Sequence, residues 1–173
     1  MQRYLSAILL VLALSTASAR AAGESDAETE DRPAGASGQP VPRFVSLAAD
    51  KVNLRSGPAA KYPVTWTYLK KGLPVMVTAE FEHWRRIKDV DGDEGWVHKS
   101  LLTGRRQALV VGEVRSLHRA PEAKAAIVAR VEPGVIGKLE ACEGTWCRLR
   151  LDKALGWLPR EAIFGALPGE EIK

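Results

Sequence analysis

The chain is written twice, and that duplication limits its fold more than any other feature. Leu54 and Pro58 recur as Leu117 and Pro121 at a separation of 63, Gly72 and Trp84 recur as Gly134 and Trp146 at 62, and Gly95-Trp96 recurs as Gly156-Trp157 at 61. Each step of one falls between anchors where a loop is expected, and a duplicated fold tolerates single-residue deletions there. The pattern predicts two modules, 43–104 and 107–168, joined by the short link Gly104-Arg105-Arg106-Gln107. Modules of about 60 residues are marginal in size for independent stability.

Apolar residues alternate over short runs in both modules, as in "VPRFVSLAA", "LPVMVTAEF", "WRRIKDV" and "GWVHKSLL". Period-two patterning of this length predicts strands and an all-β fold. The run "PEAKAAIVARV", 121–131, has a helical composition. Its counterpart "YPVTWTYL", 62–69, is rich in β-branched and aromatic residues, so a strand is predicted in both places.

The segment ahead of the modules has a different character. Arg3, the eleven-residue apolar run "YLSAILLVLAL" and Ala19-Arg20-Ala21 have the organisation of a signal peptide, 1–21. The run is shorter than the roughly 20 residues needed to span a bilayer, so export is expected without stable membrane insertion after cleavage. The mature protein would be periplasmic or secreted. Residues 22–42, acidic and then Pro/Gly-rich, are expected to form a disordered linker. Removing Arg3 and Arg20 reduces 25 basic and 21 acidic residues to 23 and 21, a net charge of +2. Interspersed charges of that balance do not predict a nucleic-acid footprint.

The acids of "DVDGDEG", 89–95, lack calcium-loop spacing: counted from Asp89, the sixth position is Glu94 and the twelfth is Ser100. A hairpin with Asp91-Gly92 in its turn is expected instead. Cys142 and Cys147 flank another Gly-containing turn, and in an exported chain a disulfide across it is the favoured reading. The local sequence is short of ligands for zinc and of a paired histidine for a nucleophilic cysteine. His83, His98 and His118 have no catalytic spacing, and no G-x-S-x-G, H-E-x-x-H or phosphate-cradling motif is present. No enzyme activity, cofactor or metal is predicted.

"VNLRSGP" followed by "YPV", then "KKG", "HWRRI" and "DGDEGWVHKSLL", resembles the bacterial SH3-like domains of exported and cell-wall proteins. The second module keeps "LHRAP", "PG", "TWCRL" and "LGWLPREAI". The resemblance implies two tandem SH3-like β-barrels, small and strongly bent, that bind or scaffold rather than catalyse. It also implies targeting to peptidoglycan, in the manner of domains that accompany wall-degrading enzymes. An envelope protein, bound by an interaction adaptor, is the alternative partner.

Within "VNLRSGP", Val52 and Leu54 should enter the core while Asn53 and Arg55 face outward. Gly57 would permit a positive φ, and Pro58 would stop the pairing. The second module keeps Leu117 and Pro121 but has His118 and Ala120 at the other two places. The motif therefore reads as architectural, with Arg55 its residue for ligand contact. Trp84, Trp96, Trp146 and Trp157 recur, with Gly95 and Gly156, and are expected to pack inside the barrels. Tyr62, Trp66 and Tyr68 have no aromatic counterparts. They are expected to form either a ligand groove with Arg55 or a face packed on the second module.

Overall fold

A computed structural model describes residues 35–173. The expected signal peptide and the first part of the expected linker lie outside these residues. The described chain is all-β apart from two single-turn 3-10 helices, Lys99–Leu101 and Arg160–Ala162, and has no helix long and apolar enough to cross a membrane. The first module comprises β1 Arg43–Leu47, β2 Val52–Arg55, β3 Val64–Tyr68, β4 Pro74–Phe81, β5 Trp84–Lys88, β6 Glu94–His98 and β7 Leu102–Thr103. The second comprises β8 Gln107–Val110, β9 Arg115–His118, β10 Ile127–Val131, β11 Ile136–Glu143, β12 Trp146–Arg150, β13 Leu155–Pro159 and β14 Ile163–Phe164. The two seven-stranded sheets have one topology, β3-β2-β6-β5-β4-β1-β7 and β10-β9-β13-β12-β11-β8-β14. The Ala-rich run becomes strand only from Ile127, and residues 121–126 form the loop before it.

The bends also coincide. The β4–β5 ladder slips between Val77 and Ala79, and the β11–β12 ladder slips between Leu139 and Ala141, 62 residues later. Bulges of this kind bend the strand and let a short sheet curl over its own core. That core is mainly aliphatic: Val45, Leu54, Val77, Ile87 and Val97 are matched by Ala108, Leu117, Leu139, Leu149 and Leu158. The β5–β6 hairpin turns through Asp91-Gly92, where Gly92 has φ +93° and Asp89 Oδ1 accepts the N–H groups of Asp91 and Asp93.

The modules close the end of the β4–β5 hairpin and its copy with different chemistry. Glu80 and Arg85 face each other in the first module, joined at 3.0 Å. The corresponding pair in the second module is Cys142 and Cys147, joined as a disulfide. Closing so small a loop contributes about 2 kcal/mol on the loop-entropy model. Reduction of the native chain should therefore lower the urea midpoint of the second module and leave that of the first unchanged, as followed by tryptophan fluorescence.

An arm lies over each of these pairs. Ser37 donates its N–H and hydroxyl to Glu80 at 2.6 and 2.8 Å, and Val41 packs on the first core. Residues 35–42, read from composition as linker, are thus ordered on β4, because a buried carboxylate needs donors and this stretch supplies them. In the second module Ile172 bridges to Cys142, and Arg106 pairs with Glu170 at 2.6 Å. The modules meet through Phe44 and Phe164, edge to face at 4.9 Å, and through Lys70 Nζ, which donates to Gly134 O.

Candidate functional site

Across β5, β6 and β2, Arg86 faces Trp96 and Trp96 faces Arg55. Directly opposed residues point to one face of a sheet. Because Gly95 and Val97 are buried, Trp96 takes the outer face with both arginines. Trp84 and His98 are opposed on the same face, their rings edge to face at 5.5 Å. The second module repeats the row as Arg148, Trp157 and His118, with the Arg148 guanidinium 5.9 Å from the Trp157 ring centroid.

Of the tryptophans expected to fill the barrels, Trp84, Trp96 and Trp146 are half-buried on this outer face, whereas Trp157, in the same row, is buried at 8% exposure with Arg148 over its ring; neither core cluster contains any of the four. Alternation around Gly95 and Val97 was the signal that should have placed Trp96 outside. The glycines of the Gly-Trp pairs are what the core requires. A Cβ on Gly95 would lie 2.6 Å from Leu54 Cγ and 2.8 Å from Arg55 O, and one on Gly156 would lie 2.6 Å from His118 O.

Arg55 holds its own loop, donating from Nη1 to Tyr62 O at 2.7 Å. His118 Nδ1 lies 3.1 Å from Ala125 O, the corresponding carbonyl, so loop clamping survives the change of residue. Gly57 does not have a positive φ, contrary to the expectation for it. Its requirement is space, because a Cβ there would lie 2.6 Å from the Tyr62 ring. The second module has alanine at both positions, Ala120 and Ala125, and no ring to accommodate.

The structure separates the three unmatched aromatics. Tyr62 is 38% exposed and sits over Gly57. Trp66 is 57% exposed on β3, opposite Leu54, and so points to the other side of the sheet from Arg55. Tyr68 is 6% exposed, part of the core, and donates to Asp89 Oδ2 at 2.9 Å. Burial, then the contact with the Asp89 carboxylate, pushes the Tyr68 hydroxyl far above its ordinary range. Val131 and Leu151 replace this polar pair in the second module, so the aromatic mismatch at Tyr68 reflects a different core solution. The exposure of Tyr62 and Trp66 shows that the second module does not cover them.

His98 Nδ1 lies 2.8 Å from Ser100 Oγ and accepts the Ser100 N–H, capping the 3-10 turn. This is a local capping arrangement rather than a nucleophile poised in a cleft. The second module carries an apolar cleft of about 770 Å³ lined by Trp146, Pro159, Ala166 and Pro168. It lies away from Tyr62 and Trp66, on the module that lacks their counterparts.

Comparison with known proteins gives two family-model matches, both to the bacterial SH3 domain, at residues 48–104 and 112–165. A Bacillus subtilis (strain 168) protein named as an N-acetylmuramoyl-L-alanine amidase, YrvJ, is 24% identical over 128 residues. The match covers 68% of this chain, which spans only 24% of that relative's length. Among solved structures, NlpC1 from Trichomonas vaginalis is similar at 12% identity and TM-score 0.34, over 73% of this chain and 46% of its own. An NlpC/P60 family protein from Bacillus cereus ATCC 10987 is similar at 14% identity and TM-score 0.32, over 75% and 58%.

Proposed function

Because the chain belongs to the bacterial SH3 domain family, we propose that it is a non-enzymatic, exported binding module that engages peptidoglycan through the outer face of its first module. The observation that carries this reading is the row Arg55, Trp96 and Arg86, bordered by Trp84 and Tyr62. Rigid rings cover apolar stem atoms at low entropic cost, and a guanidinium binds a carboxylate in a planar fork. The amidase name of the relative supports a wall ligand.

A second reading rests on β3, an edge strand with Val64 and Trp66 exposed at 44 and 57% and Leu69, just after it, at 76%. An open edge flanked by apolar side chains suits an extended segment of an envelope protein added as a further strand.

Co-sedimentation of the mature protein with purified sacculi separates the two. Trp96→Ala and the surface variant Tyr62→Ala should each weaken binding roughly tenfold or more, while Trp66→Ala should leave it unchanged. Failure of the folded native protein to sediment would overturn the peptidoglycan reading. Loss of binding confined to Trp66→Ala would move the site to the β3 edge.

A further inference from the structure

The signs of charge alternate along the sequence, but the fold collects cations on one side of the second module. A groove of about 900 Å³ there is lined by Arg105, Arg106, Lys138, Arg148 and Arg150, with Glu140 among them. Arg106 is matched by Glu170. The single Glu140 carboxylate serves Arg150 at 2.7 Å, Arg148 at 3.4 Å and Lys138 at 3.7 Å. Arg105 adds a further exposed cation.

Cations outnumber acidic side chains along this groove. Lys138 and Arg150 are directly opposed across β11 and β12 and are 64% and 54% exposed. Like charges in that register repel, and Glu140 is the carboxylate that bridges them. The first module avoids the conflict with Met76 opposite Lys88, and it has Pro42 where the second has Arg105. A binding role explains why the second copy carries the extra cations when the shared fold does not require them.

We propose that this groove binds a linear polyanion carrying phosphate groups. Several guanidinium groups favour a ligand with multiple oxyanion acceptors. An acidic peptide fits less well because β11 is paired with β8 and β12, and β12 with β11 and β13, leaving no strand edge for its backbone. Nucleic acid fits less well because no aromatic side chain lines the groove to stack a base.

The test is calorimetric titration of the full mature chain with short-chain sodium polyphosphate at low salt. Lys138→Met/Arg150→Gln should weaken binding about tenfold or more, and raised salt should weaken binding by the native chain. Lys51→Gln/Lys88→Gln on the first module, outside the row proposed above to bind the wall, should have no effect. A native chain that does not bind overturns the proposal, as does an equal loss in the first-module variant. Tighter binding of a single-stranded DNA oligomer than of polyphosphate would assign the groove to nucleic acid instead. None of these measurements uses wall material, so they stand apart from the peptidoglycan reading.

Discussion

Glu80→Ala is expected to cost the first module about 3–5 kcal/mol, the range for removing one partner of a buried ion pair. The Glu80 side chain is 0% exposed and takes Arg43 at 2.6 Å and Arg85 at 3.0 Å. Those arginine side chains are themselves mostly buried. Without the carboxylate, two guanidinium groups remain facing each other with no counter-charge, and Ser37 loses both acceptors. Urea unfolding of the full chain should show the first-module transition moving to much lower denaturant while the second stays in place. The double change Glu80→Cys/Arg85→Cys should recover part of the loss under oxidising conditions, since the second module uses a disulfide in the same register.

The same carboxylate sets the response to acid. Burial alone would raise its pKa, but hydrogen bonds from Arg43 and Ser37 outweigh burial and hold it below the ordinary 4.5. A carboxyl group with a depressed folded pKa stabilises the fold above its unfolded value and loses that contribution as pH falls through the folded value. The first module should therefore lose stability below about pH 4.5, and Glu80→Ala should flatten that dependence. Glu140 is also held low, by its hydrogen bond from Arg150 against a smaller effect of burial, but it lies at a solvated surface where salt screens it.

Much of the architecture was legible because duplication turns one sequence into two readings. The strands, the Asp91-Gly92 hairpin and the Cys142–Cys147 bridge follow from alternation, turn chemistry and spacing. The site was less legible because alternation says that neighbours differ in face without saying which face is wet. Trp66 and Tyr68 do share a side of β3, yet one is at an open rim and the other closes the core over Asp89. Composition also misled at 35–42, where proline and glycine concealed Ser37, a specific partner for a buried acid. The basic groove was hidden for a different reason. Its cations come from the link, β11 and β12, and are collected only by the fold.

The glycine before Trp96 gives the other large expected effect. Gly95→Ala should destabilise the first module by about 3 kcal/mol, at the upper end of the usual overpacking range. The added methyl group meets Leu54 Cγ at 2.6 Å and Arg55 O at 2.8 Å. The first atom belongs to the core and the second to backbone at the β2–β6 contact, so neither can rotate away as an exposed side chain would. Gly104→Ala is the control, because a Cβ there meets nothing within 4 Å and the backbone has no positive φ. Thermal melts should separate the two, with Gly95→Ala lowering the first-module transition by many degrees and Gly104→Ala by little. Equal shifts would mean that β2 and β6 can part without cost. The Gly-Trp pair would then lose its architectural explanation, leaving contact with a ligand as the reason for glycine at that position.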